Sequence, residues 1–207
     1  MLKRITWYGL IAMTCYILIM AGCTKVPPRN KKNICSVFRQ YPTWYWDAAA
    51  TQKKWGVPIS VQMAIVYQES RFQATVKPAR KKILWIIPWK RPTTAYGYSQ
   101  ALDGTWDRYQ KHTKKRDADR AIFSDAVDFI GWYAARAEKR LGILKSNARN
   151  LYLAYHEGLG GYSTGTYLQK PWLMKVADNV GGRSIIYRHQ LGQCEKELPK
   201  KPWWRFW

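Results

Sequence analysis

Ile59-Ser-Val-Gln-Met-Ala-Ile-Val-Tyr-Gln-Glu-Ser-Arg-Phe72 is the stretch on which the fold turns. Pro58 precedes it, a residue suited to a helical first turn. Ile59, Gln62, Met63, Val66 and Glu69 then recur at three- and four-residue spacing. That spacing predicts a helix from Ile59 to about Phe72, with a carboxylate at the end of an apolar stripe, one turn beyond Ile65 and Val66. Two effects there favour the protonated acid. Apolar surroundings penalise the charge, and the negative end of the helix dipole repels a carboxylate. A glutamate treated in this way is a general acid near neutral pH. Spacing alone leaves an alternative, an exposed Glu69 at a fraying helix end, paired with Arg71 or Lys77.

Working outward, the pattern stays helical. Upstream, Thr43 would cap a helix running to Trp55 and ended by Gly56. Downstream, Gly104–Lys111 is a candidate with Asp103 placed to cap it, and a long helix follows from about Ala118 to Arg140, with Gly142 as its stop. Asn147–Glu157 makes another, ended by Gly158, Gly160 and Gly161. Pro171–Asp178 and Gly182–Leu191 complete the set. No strand pattern of comparable length and no internal repeat is present. The class is mainly α.

Three short segments carry a family resemblance. Gln68-Glu69-Ser70-Arg71-Phe72 resembles the Glu-Ser motif of the soluble lytic transglycosylases (SLT). Ala95-Tyr96-Gly97-Tyr98-Ser99-Gln100 is similar to their Gly-Leu-Met-Gln motif, and Ala154-Tyr155-His156-Glu157-Gly158 resembles their Ala-Tyr-Asn-x-Gly motif. Order, approximate spacing and helix-end positions agree over residues 42–190. Tyr98-Ser99 stands in place of Leu-Met, His156 in place of Asn, and 27 residues separate Glu69 from Gly97, more than is usual. The resemblance implies a lysozyme-like helical domain of SLT type. It implies cleavage, without water, of the β-1,4 bond between N-acetylmuramic acid and N-acetylglucosamine in peptidoglycan glycan strands. Glu69 would protonate the glycosidic oxygen, then take the proton of the muramic C6 hydroxyl as that oxygen closes a 1,6-anhydro ring. The intermediate would be oxocarbenium-like or acetamido-assisted, one of the exceptions to the two-carboxylate scheme. Ser70 and Gln100 would bind sugar or position the acid, and Tyr155 would orient Glu69 or stabilise charge near C1. Gly97, Tyr98, His156 and Glu157 complete the expected substrate-binding set, with no cofactor.

Two other readings stand beside this one. Glu157 would serve as the second carboxylate of a hydrolysing, lysozyme-like muramidase, or else hold the neighbouring turn by a structural hydrogen bond. A non-catalytic peptidoglycan-binding lipoprotein would use the abundant aromatic residues, 12 Trp among them, as sugar platforms. His112, His156 and His189 have no metal-ligand spacing. No Ser triad and no phosphate-cradling Gly loop is found.

Composition and the N-terminus place the chain. Its 207 residues carry 35 Lys and Arg against 13 Asp and Glu, a net +22, which calls for an anionic partner or surroundings. Met1-Leu-Lys-Arg4, the apolar Ile5–Met20 and Ala21-Gly22-Cys23 have the layout of a secretory signal that resembles a lipobox. Residues 1–22 would be the signal, Cys23 the lipidated residue, 23–41 a tether, 42–195 the SLT-like domain and 196–207 a basic, aromatic tail. An uncleaved membrane anchor is the alternative for Ile5–Met20. Thr24, where Asp would signal inner-membrane retention, favours a periplasmic protein anchored to the outer membrane. Without residues 1–22 the chain keeps 33 cations against 13 acids, a net +20. Secretion removes nucleic acid as the explanation of that charge and leaves peptidoglycan and headgroups.

With Cys15 in the signal and Cys23 lipidated, Cys35 and Cys194 remain as an even pair at the two ends of the domain. In an oxidising compartment they would form a clasp, two unpaired thiols being the alternative. Lys77–Pro92, with Trp85 and Trp89 among cations, is expected to be a basic, aromatic flap over the glycan or a packed loop filling the core. Trp203, Trp204, Trp207 and the cations beside them would add a weak second membrane contact, or fold back onto a groove of the domain.

Overall fold

The computed structural model describes residues 26–80 and 91–203, and the backbone of 82–83 and 87–88. The expected signal, Cys23, Trp204, Trp207 and the flap residues Trp85 and Trp89 lie outside the described residues. Seven α-helices are described: α1 Ile34–Gln40, α2 Pro42–Trp55, α3 Ile59–Ser70, α4 Asp103–Thr113, α5 Phe123–Leu141, α6 Ala148–Ser163 and α7 Pro171–Cys194. Strands β1 Lys82–Ile83 and β2 Ile87–Pro88, both within the expected flap, pair antiparallel, Ile83 opposite Ile87. Among the described residues no helix is long and apolar enough to cross a membrane.

The hub is α3. From Ile59 to Val66 every residue is buried, so the apolar stripe expected from its spacing is in fact an all-round buried helix. It packs along α7 and touches α2, α5 and α6, while α2 lies along α5 and α6 leans on α7. Gln62, the polar member of the expected stripe, spends its amide on the core, donating to Ala48 O at 3.1 Å and Val57 O at 2.8 Å. The helix stops at Ser70 rather than Phe72, because Arg71 and Phe72 both take positive φ, 50° and 62°. That reversal turns the Phe72 ring into the core beside Trp44 and Tyr67.

Several expected boundaries move for local reasons. Tyr41, not Thr43, is the N-cap of α2, with Pro42 in the first turn. Asp103 is inside α4, where an acid favours the N-terminal dipole, and Leu102 is the cap. Residues 118–122 form a turn, so α5 begins at Phe123 and ends as expected before Gly142. The α5 carboxylate Asp128, 5% exposed, ties α2, α4 and α5 together. It accepts from Trp55 Nε1 at 2.6 Å, Tyr109 OH at 2.7 Å and Lys54 Nζ at 2.9 Å. Burial pushes its pKa up, but these donors and Lys115 outweigh it and hold it below the usual carboxylate value.

The two helices expected over 171–191 are one. Leu173, Ala177, Val180, Ser184, Tyr187, Leu191 and Cys194 form a continuous buried seam that carries α7 through Gly181-Gly182. The tether expected to reach residue 41 ends sooner. Asn33 caps α1 by accepting from Ser36 N, and Ile34, Cys35, Val37 and Phe38 are buried. The Cys35–Cys194 bridge forms, with the two Cα atoms 6.1 Å apart, and Gln190 Oε1 accepts from Ile34 N at 3.0 Å. A closed loop of that length is worth about 5 kcal/mol in the chain-entropy picture. The first residues of the expected tail are docked as well. Leu198 is buried, Trp46 Nε1 donates to Pro199 O, and Arg39 pairs with Glu197. Trp203, by contrast, is 79% exposed.

Candidate active site

Glu69 occupies the last turn of α3, where the buried run ends. It is partly buried and faces a cleft of about 600 Å³. Burial pushes its carboxyl up to about 7, against the opposing pull of the Tyr152 hydroxyl, which is placed to donate to the carboxylate. The alternative partners are engaged elsewhere. The Arg71 guanidinium lies 4.2 Å from the Tyr67 ring centroid, and Lys77 Nζ lies 4.9 Å from that of Tyr96. Among the described residues Glu69 makes no ion pair.

The 95–101 segment is a turn closed by a bridge between Tyr96 and Ala101. Gly97 has φ +77°, and a Cβ there would stand 2.1 Å from Arg120 O, so backbone conformation and space both demand glycine. Gly97 N–H donates to Val76 O and Tyr98 N–H to Arg120 O, which pins the turn between two loops. Gly97 therefore shapes the site without lining it. Tyr98, expected to bind substrate, is fully buried; its ring meets Trp44 and Phe123 edge-on, as an aromatic of that size must when its turn points inward. Gln100 does line the cleft, and its amide donates to Val76 O and Gly97 O, both at 2.9 Å. Ser70 does not. Its side chain is buried and its hydroxyl donates to Val66 O one turn back, the usual outlet for a helical serine.

Helix α6 supplies the far side. Tyr155 lines the cleft and donates to Ser99 O at 2.6 Å, which locks its ring to the turn. Its own pKa is raised by burial and by the nearby Glu69 charge. The helix expected to end at Glu157 breaks there and resumes: Gly158 takes φ 77°, ψ 160° inside the Ala148–Ser163 span. The break presents His156 and Glu157 at the cleft. Glu157 is not a free second acid. Its side chain is 4% exposed and accepts from Lys170 at 2.8 and 2.9 Å, from Thr166, and from His156 Nδ1–H at 3.1 Å. Those donors, Lys170 first, hold it down at about 2. His156 is exposed, with its ring edge-on to Trp172.

The structure thus gathers Glu69, Gln100, Tyr155, His156 and Glu157 around one cleft and leaves Ser70, Gly97 and Tyr98 behind it. It adds residues that the sequence reading passed over. Tyr152 was legible as the residue one turn before Tyr155 on the same face of α6. Tyr152 is buried and reaches the site through its hydroxyl on Glu69, whereas Trp132 and Tyr133 of α5, hidden in a sequence pattern that reads as core, line the cleft, and so do Arg108, Arg136 and Arg140. Among the described residues no three His, Cys, Asp or Glu side chains assemble as metal ligands. Chemically the site offers one carboxyl able to give and retake a proton near neutrality, beside one carboxylate that stays ionised.

The family description "Transglycosylase SLT domain" matches residues 11–194. No curated protein and no solved structure matches the chain.

Proposed function

The chain belongs to the transglycosylase SLT domain family, whose helical, lysozyme-like fold it shares and which points to a lytic enzyme acting on peptidoglycan; from that premise we propose that it cleaves the muramic acid–glucosamine β-1,4 bond without water and releases 1,6-anhydro ends. The observation that carries this reading is that Glu69, held up at about 7, is the cleft acid without an ion pair among the described residues, while the oxygens of Glu157 are taken up by Lys170, Thr166 and His156. One acid that still holds its proton near neutral pH is what a single-carboxylate mechanism requires.

Glu69 gives its proton to the glycosidic oxygen as the C1–O bond breaks. Positive charge develops at C1, beside a Glu69 that is now an anion. The Tyr152 hydroxyl steadies that anion, and Tyr155, fixed through Ser99 O, lines the cleft beside it. The C6 oxygen then attacks C1, its proton passes to Glu69, and the acid is restored. Glu157, tied to Lys170, holds the His156 side of the cleft rather than activating water.

The test is digestion of purified sacculi followed by product mass analysis. Anhydromuramic ends that disappear with Glu69→Gln are expected. Reducing muramic ends would mean hydrolysis, a wild-type chain that turns nothing over would mean a binding protein, and undiminished release by Glu69→Gln would end the assignment of the acid. The proposal also places the enzyme in the periplasm, held to the outer membrane through a lipid on Cys23, with Trp203, Trp204 and Trp207 as a weaker contact. The layout of residues 1–23 supports this, as does the Cys35–Cys194 bridge, which suits an oxidising compartment. The mass of the mature chain checks it: an unmodified Cys23 would refute the anchor.

A further inference from the structure

The cleft carries a group of cations that the proposed chemistry leaves unused. Arg136 and Arg140 stand one turn apart near the end of α5, and Arg108 comes from α4; all three line the cleft and are exposed. Among the described residues none of them has an acidic partner. Arg108 bonds the Thr105 hydroxyl in its own helix at 3.1 Å, and Arg136 lies 5.0 Å from the centroid of the buried Trp132 ring. Both contacts hold a guanidinium in place while leaving donors open. Burial raises the Tyr133 hydroxyl to about 12, and the fields of Arg108 and Arg136 both oppose that rise, so the two charges converge on one spot.

Helix energetics explain part of this grouping only. A cation in the last turn of α5 suits the dipole. Like charges four residues apart repel, however, and a third cation from a different helix adds to the repulsion. The arrangement is costly in itself and is relieved by an anion. A guanidinium with free paired N–H groups is built for carboxylate. In peptide-bearing peptidoglycan the free carboxylates sit on the stem, the lactyl carboxyl being amide-bonded to it and free only where a stem has been removed, while the sugar backbone is neutral.

We propose that Arg108, Arg136 and Arg140 form a carboxylate-binding subsite for the peptide stem, which makes the cleft selective for peptide-bearing over denuded glycan. This rests on the function proposed above. The experiment uses the full chain, Arg136→Gln/Arg140→Gln and Arg108→Gln, with two substrates: soluble peptide-bearing glycan strands, and the same strands stripped of stems by an amidase, which leaves the lactyl carboxylate. The expected result is that wild type prefers peptide-bearing strands and that the double variant lowers this ratio of kcat/KM at least fivefold. The change should lie in KM and weaken at high salt. An equal loss on both substrates, or an unchanged ratio, overturns the subsite; the first outcome would assign the arginines to the glycan or the lactyl group. If wild type cleaves neither substrate, the proposed function fails instead. Binding of both strands to Glu69→Gln, with and without the arginine substitutions, then still decides the subsite. Unchanged circular dichroism and melting of the variants exclude a folding effect.

Discussion

Glu69→Gln should make the protein more stable while abolishing its activity, and only above the pH at which an ordinary carboxyl ionises. In the folded chain the carboxyl keeps its proton up to about pH 7, against an ordinary value of 4.5. Between those values the folded state binds more protons than the unfolded one, so stability falls as pH rises and the whole penalty is present above about pH 7. The difference corresponds to about 3 kcal/mol at roughly 1.4 kcal/mol per pH unit, and opening of the cleft to solvent brings it nearer 2 kcal/mol. A glutamine keeps the shape and the acceptor for Tyr152 but never ionises. At about pH 8.5 the variant should therefore exceed wild type by about 2 kcal/mol, or roughly 4–8 °C in Tm for a chain of this size. Near pH 4, where the carboxyl is neutral in the folded state and largely so in the unfolded one, the curves should nearly meet. Urea unfolding followed by Trp fluorescence at the two pH values measures this. Coincident curves at the alkaline pH, or a gap of equal size at the acid one, would refute the claim that burial governs this carboxyl.

Tyr152→Phe removes the hydroxyl that draws Glu69 down, so the alkaline limb of the kcat/KM profile on peptidoglycan should move up by about one pH unit; a limb that stays in place would deny Tyr152 its positioning role. Lys170→Met strands the Glu157 carboxylate and should cost about 2 kcal/mol at neutral pH. Because Glu157 is held down at about 2, the stability its partners provide is present above the ordinary carboxylate range and lost as pH falls through about 2. The deficit of Lys170→Met in urea unfolding should accordingly narrow as pH drops from about 5 toward 3. Gly97→Ala meets both a positive φ and Arg120 O, and should lower stability by at least about 2 kcal/mol, read as a fall in Tm.

How far the sequence could be read depended on whether a signal was local. The ends of α2 and α5 were visible in Gly56 and Gly142, and Glu69 was visible because a charge follows an apolar run in the last turn of its helix. Two misreadings came from contacts distant in sequence. The segment around Ile34 looks like tether because its apolar residues are few and cations crowd it. It becomes α1 only because α7, some 155 residues away, supplies Gln190 and Cys194. The pair Gly181-Gly182 reads as a break, since each glycine costs a helix about 1 kcal/mol relative to alanine. In the fold Gly181 lies against Arg149, a Cβ there standing 3.4 Å from that of Arg149, so the small residue admits a close approach to α6. Ser70 and Tyr98 sit inside the two motifs yet face away from the cleft, because orientation within a motif is set by the turn and the core behind it. The cleft arginines had no local mark at all: Arg108 and Arg136 meet only when α4 and α5 do.

The clasp between Cys35 and Cys194 has a mechanical consequence. Both ends of the described chain leave from one pole, where Arg39 meets Glu197 and Trp46 meets Pro199. A pull between the two ends is passed from backbone to backbone through the sulfur bridge and bypasses the chain between them, a sequence separation of 159. The helices that carry Glu69 and Tyr155, and the turn that carries Gln100, lie inside that shunt. Traction between residues before 35 and residues after 194 can peel away the docked ends, but that load path does not cross the cleft. Only reduction of the bridge would make the domain itself extensible along that path.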